Sequence, residues 1–165
     1  MRHLRRGEAL FDVREEMVAE APLPVAYAIG NALLQINIEV RHMYGLKPVD
    51  MLALHVLIVA GAQRTMRLAG RGVPLKRKLA VPPEERGTLS RRAIAQVLDL
   101  PFETVRRATA RLMAQGLITE RCRGKLVVTD KVVDPESFIP FLAEIAKRWT
   151  ATTERLAELG VVRLI

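Results

Sequence analysis

Between Thr88 and Thr129 the chain carries so much backbone punctuation that few paths satisfy it. Ser90 is placed to cap a helix running from Arg91 to Leu98, because its hydroxyl can accept an N–H that the first helical turn leaves unpaired. Asp99-Leu100 then makes a turn, with Asp99 tolerating left-handed geometry. Pro101 follows where a first-turn proline is preferred, and Phe102 to Gln115 reads as a second helix ended by Gly116. Two short helices this close must cross steeply, which calls for a small residue at the crossing and apolar residues on the inner sides. Ala95 is the small one, and Ile94, Leu98, Leu100, Val105, Ala108 and Leu112 are the inner ones. Beyond Gly116, residues 117–122 and 125–129 are strand-like around an Arg123-Gly124 turn, a hairpin with a basic tip. Thr88-Leu89 can add a short third strand.

Helix, turn, helix and hairpin is the order of a winged helix. The flanks extend it with more helix. Residues 8–20 show Leu10, Val13 and Met17 at helical spacing, and Pro22 and Pro24 break the pattern. From Val25 to about Tyr44 the apolar positions recur helically, Gly45 stands as a C-cap, and Pro48 opens an apolar helix expected to be buried and to end near Arg67. Residues 68–87, with three prolines and three glycines, read as a loop. Asp134-Pro135-Glu136-Ser137 starts a long amphipathic C-terminal helix whose stripe includes Phe138, Phe141, Leu142, Ile145, Trp149, Leu156 and Leu159, with Pro140 in its first turns. Half of all residues are hydrophobic but only 4% aromatic, so Leu, Ile, Val, Ala and Met must build the core. The expected fold class is therefore mainly α, a winged helix-turn-helix with additional N- and C-terminal helices. Its expected divisions are 1–45, helices that pair two copies; 46–133, the winged helix; and 134–165, a second pairing helix.

Charge is unevenly spread. From Arg64 to Lys125 there are fifteen Lys or Arg against five Asp or Glu, a local +10 that leaves −2 for the flanks of a chain with net +8. A basic middle between nearly neutral, apolar flanks suits a protein whose one face meets a polyanion. With Val105, Ala108 and Leu112 turned inward, the second helix, about 102–115, presents Phe102, Glu103, Arg106, Arg107 and Arg111 outward. Arg can pair two hydrogen bonds with guanine, Glu can accept from cytosine N4, and Phe can touch a thymine methyl. Base contacts are thus expected from Phe102, Glu103, Arg106 and Arg107. Backbone contacts are expected from Ser90, Arg91, Arg92, Thr104 and Arg111, and from Arg121, Arg123 and Lys125 on the wing, about 117–129.

The run Leu89 to Gln96, through Pro101-Phe102-Glu103-Thr104-Val105-Arg106-Arg107, to Leu112-Met113-Ala114-Gln115-Gly116-Leu117-Ile118 resembles bacterial winged-helix transcription regulators of the gluconate-repressor and catabolite-activator classes. Glu103 to Arg107 is its most specific part. The resemblance implies that Glu103 and Arg107 reach base edges and that Thr104 holds a phosphate. It covers about a quarter of the chain, and Asp99 stands where glycine is usual.

These observations lead to a sequence-specific double-stranded-DNA-binding regulator, acting as a homodimer. The rival readings are a winged-helix adaptor between proteins and a replication or nucleoid DNA-binding protein. No phosphate-binding glycine loop, carboxylate pair or base-activated nucleophile points to an enzyme, and no cofactor or metal is expected. The run Met51 to Ala62 is too short to span a bilayer, the first residues lack a secretory pattern, and the lone Cys122 suits a reducing compartment, so a cytoplasmic location is expected. Four features keep two readings each. His55 is a core histidine or a pH sensor, Cys122 an inert or a redox-active thiol. Trp149 and the C-terminal phenylalanines are packing or an effector pocket, and Lys76-Arg77-Lys78 is a DNA contact or an exposed loop.

Overall fold

The computed structural model describes residues 11–70 and 85–165, without the side chains of 64, 65 and 67–70. It is mainly helical with small antiparallel sheets. The elements are β1 (Phe11–Val13), α1 (Glu15–Glu20), α2 (Pro22–Tyr44), α3 (Pro48–Gly70), β2 (Leu89–Ser90), α4 (Arg91–Leu98), α5 (Phe102–Ala114), β3 (Ile118–Cys122), β4 (Lys125–Val128), a 3-10 turn (Asp130–Val133), α6 (Pro135–Glu158) and β5 (Val162–Leu164). No single helix among the described residues is long and apolar enough to cross a membrane. The Lys76-Arg77-Lys78 cluster lies outside the described residues.

Contacts divide the chain into two units, one of residues up to Glu39 together with Phe141–Ile165, the other Val40–Pro140. This differs from the three segments expected from sequence, 1–45, 46–133 and 134–165. The two ends of the chain meet each other, because β1 pairs antiparallel with β5, Phe11 opposite Leu164 and Val13 opposite Val162. The helix expected over 8–20 is in its described part a strand followed by α1, since the apolar spacing of Val13 and Met17 cannot reveal a partner strand 150 residues away.

In the second unit the core is closed. Leu54, Leu57, Ile94, Val105, Ala108, Leu112, Leu126 and Val132 are fully buried. They come from α3, α4, α5, β4 and the 3-10 turn, so the small sheet and the helices share one apolar interior. β4 is the centre of that sheet, in the order β2-β4-β3. Leu89 and Ser90 face Leu126 and Lys125, and Ile118 faces Val128 across the hairpin. Gly87 is a requirement of close approach: a Cβ there would collide with the Ala60 carbonyl of α3, and its N–H donates to the Gly61 carbonyl at 3.3 Å. Tyr44, at the end of α2, donates from its hydroxyl to the Val132 carbonyl at 2.9 Å, and burial pushes its phenol up to about 12.

Two further helices depart from expectation. The break after the first helix falls at Ala21, and α2 starts at Pro22 instead of the expected Val25, because the N–H groups that Pro22 and Pro24 lack would be unpaired in the first turn anyway. α3 runs on to Gly70, into the expected loop, and is not buried all round: Met51, Leu54 and Leu57 point inward while Leu52 and Val59 are exposed. As expected, α6 starts at Pro135 under a cap in which Asp134 Oδ2 accepts from the Ser137 N–H at 3.3 Å, and it contains Pro140. In the first unit the packing is looser. α6 has no fully buried residue, and Leu23, Tyr27, Leu33, Leu34, Leu142 and Trp149 are all exposed.

Candidate nucleic-acid interface

The turn between α4 and α5 forms as its residues dictate. Ser90 Oγ accepts from the Ala93 N–H at 3.2 Å, Asp99 takes the left-handed conformation at φ 51° and ψ 46°, and its N–H closes α4 on the Ala95 and Gln96 carbonyls. Pro101 precedes α5, and its carbonyl accepts from the Thr104 and Val105 N–H groups. At the other end Gly116, with φ 69°, lets the chain leave for β3.

The buried arc of α5 is Val105, Ala108, Thr109 and Leu112. Each residue turns the helix by about 100°, so Glu103 and Arg107 fall opposite that arc and Arg106 on its edge, and all three are exposed. They form one hydrogen-bonded cluster. Arg106 donates to both Glu103 oxygens at 2.7 and 2.8 Å, and Arg107 donates from Nε to Oε1 at 2.9 Å. These are the i, i+3 and i, i+4 spacings that bring helix side chains together. The hydrogen bonds from Arg106 and then Arg107 hold the Glu103 carboxyl down at about 2, so it remains an acceptor at any physiological pH. The same carboxylate raises the Arg106 guanidinium. Phe102 stands beside the cluster, half exposed, and Thr104 is partly buried on the other flank.

Three arginines expected at a phosphate backbone, Arg111, Arg91 and Arg121, make bonds within the protein itself. Arg111 was placed on the outer face with Arg107, but it lies about 100° from Leu112, on the flank where α3 passes. There it makes a two-pronged pair with Asp50, Nε to Oδ2 at 2.8 Å and Nη2 to Oδ1 at 2.5 Å. Asp50 is in the first turn of α3 and only 2% of its side chain is exposed, so this bond clamps α5 to α3. Arg91 is likewise engaged, donating to Thr109 Oγ1 at 3.2 Å, Met113 Sδ at 3.4 Å and Glu120 Oε2 at 3.4 Å. It ties α4 to α5 and the hairpin.

The hairpin tip carries exposed Arg123 and Lys125. Its turn is set by Glu120, whose Oε1 accepts from the Gly124 N–H at 2.7 Å; that bond, with Arg91, lowers the Glu120 carboxyl. Arg123 itself is forced to φ 23°, beside Gly124 at φ 78°. Arg121, lower on β3, donates to the Arg86 carbonyl at 3.3 Å. Arg92 is exposed on α4. Thus the structure brings Phe102, Glu103, Arg106 and Arg107 onto one face of α5, and Arg123 and Lys125 onto one hairpin tip. It turns Arg111, Arg91 and Arg121 to bonds within the fold.

Sequence reasoning missed Asp50, Glu120 and the buried Arg86, which donates to the Val128 carbonyl at 2.9 Å and pairs with Asp130. Only Glu120, four residues before a glycine turn, left a local signal. Asp50 and Arg86 find partners 61 and 44 residues away, which spacing cannot announce. Among the described residues no group of three or more His, Cys, Asp or Glu could hold a metal ion. Comparison with protein-family models, curated proteins and solved structures gave no match.

Proposed function

We propose that residues 46–133 form a winged helix that reads double-stranded DNA, and that the chain acts in the cytoplasm as a homodimeric transcription regulator of bacterial type. The observation that carries this reading is the exposed Glu103–Arg106–Arg107 cluster on the face of α5 opposite its buried arc, with the basic hairpin tip following in the same unit. A helix of this length with a polar outer face suits the major groove, which is about 12 Å wide. Arg106 and Arg107 are the guanine-reading residues, Glu103 accepts from cytosine N4, and Phe102 contacts a thymine methyl. Arg92, Arg123 and Lys125 neutralise phosphates, while Ser90 and Thr104 add neutral contacts to the backbone. The dimer presents two such helices about 34–36 Å apart to a palindromic site.

The test is selection of bound sites from random duplex DNA, repeated with an Arg106→Ala/Arg107→Ala double variant. The wild type enriches a palindrome, and the variant loses that preference, each lost guanine contact being worth about 1–3 kcal/mol. Arg123→Ala/Lys125→Ala keeps the preference and lowers the slope of log affinity against log salt by about 1–2. An unchanged preference in the double variant removes the assignment of α5, and weak binding with little salt response favours the adaptor reading.

A further inference from the structure

The second unit carries a chain of hydrogen bonds that joins α5 to the hairpin tip. It starts on α5, where Thr109 Oγ1 donates to the Arg106 carbonyl at 3.0 Å. The same oxygen accepts from Arg91 Nε at 3.2 Å, and Arg91 Nη1 pairs with Glu120 Oε2 at 3.4 Å. The other Glu120 oxygen, Oε1, accepts from the Gly124 N–H at 2.7 Å. Thr109 gives its hydrogen and accepts on a lone pair, and Glu120 turns one oxygen each way, so all the links hold at once. One end belongs to the Glu103–Arg106–Arg107 cluster, and the other lies between Arg123 and Lys125.

The tip needs such a support. β3 and β4 pair Glu120 with Leu126 and Cys122 with Lys125, so Arg121 is an extra residue in β3, and a bulge of this kind bends and twists its strand. The turn that follows puts Arg123 at φ 23° and Gly124 at φ 78°. Glycine tolerates that region, whereas an arginine there crowds its Cβ against the backbone. The Glu120 carboxylate ties this strained turn down from within the hairpin. Its bonds to Gly124 and Arg91 lower it, so the acceptor is ionised at physiological pH. Glu120 is also the only acid in residues 117–128, among Arg121, Arg123 and Lys125. An acid there weakens the attraction of a basic tip for a polyanion, so its presence has a reason other than charge.

We propose that Glu120 is a positioning residue for nucleic-acid contact: held by Arg91, it fixes the Arg123–Lys125 tip in one place relative to the Glu103–Arg106–Arg107 face of α5. This rests on the reading of α5 and the hairpin as DNA-binding elements. A tip already in place meets phosphates at a set distance along the duplex from the bases that α5 reads, and no loose loop has to be ordered on binding. Arg91 then serves DNA binding through the protein, as the support of Glu120, and Glu120 itself touches no DNA. The expected sign is opposite to that of charge alone. Removing the acid makes the tip more positive, yet it frees the tip and weakens binding.

The test compares Glu120→Ala with Glu120→Gln in the full chain, titrated with a mixed-sequence DNA duplex over a series of KCl concentrations. Glutamine keeps an oxygen for the Gly124 N–H and loses only the ion pair, whose side chains are 24% and 39% exposed. It binds within about threefold of the wild type, because an exposed pair adds little. Alanine loses the acceptor as well and binds about tenfold more weakly, its slope of log affinity against log salt falling by about 1. Melting curves show both variants folded, and amide exchange without DNA speeds up at Gly124 in the alanine variant only. Alanine binding as tightly as the wild type or tighter, glutamine falling as far as alanine, or unchanged exchange at Gly124 each overturns the positioning role and leaves the DNA reading standing. A wild-type chain with no salt-dependent binding overturns the DNA reading and this role with it.

Discussion

The two units of this chain solve the burial problem in opposite ways. Val40–Pro140 draws on three helices and a three-stranded sheet to seal Leu54, Leu57, Ile94, Leu112 and Leu126 completely, and its polar clamps, Arg111 on Asp50 and Arg91 across α4, α5 and β3, lie at the seams. The unit built from the chain ends has long helices whose apolar side chains stay half in water: Tyr27 is 74% exposed, and α6 buries no residue fully. Apolar area is worth about 25 cal/mol per Å² removed from water, so the first arrangement stabilises itself while the second holds that free energy in reserve. A closed core suits the DNA-reading surface proposed for the second unit. An open one suits the pairing of two copies proposed for the first.

The sharpest way to test this contrast is to cut into each interior. Leu112→Ala, under the outer face of α5, costs about 2–5 kcal/mol, read from denaturant melts. The Asp50–Arg111 clamp should show an asymmetry. Arg111→Ala strands a carboxylate that is 2% exposed and costs about 2–3 kcal/mol, whereas Asp50→Ala strands a guanidinium that is 42% exposed and costs about 1 kcal/mol. Equal losses would show that the clamp acts through packing and not through the buried charge. Leu33→Ser, in the open unit, changes the melting free energy of a monomer by less than about 0.5 kcal/mol but shifts sedimentation from dimer toward monomer. A wild-type chain that sediments only as monomer at micromolar concentration would remove the pairing role of that unit.

The smallest effect concerns His55. Burial pushes its imidazole below the ordinary 6.5, so the folded chain resists a proton that the unfolded chain accepts. Its contribution to stability is therefore complete above that value and is lost as the pH falls through the lowered one. Thermal melting should decline on acidification below 6.5, and His55→Gln should flatten that part of the profile.

Legibility followed the range of the interactions. The α4–α5 turn could be read residue by residue, because Ser90, Asp99, Pro101 and Gly116 act on groups within a few positions of themselves. The exposure of Glu103, Arg106 and Arg107 came from helical periodicity alone, whereas their mutual hydrogen bonds, although at i, i+3 and i, i+4 spacing, were seen only in the structure. Arg111 failed the same reasoning because a helix has flanks as well as two faces, and which flank is covered depends on a helix more than forty residues upstream. The ends of the chain failed for the same reason: β1 is a strand only because β5 lies beside it.

What the sequence by itself determined is local: helix starts and stops, the crossing turn, the basic hairpin and the side of α5 that carries charge. Tertiary structure alone decided which arginines are engaged within the fold, that Asp50 lies buried beneath one of them, and that α2 and α6 enclose a cleft. Hydrogen bonds within a turn are encoded in neighbouring residues, whereas the burial of a charge depends on distant segments arriving together, and no spacing in the chain records that arrival.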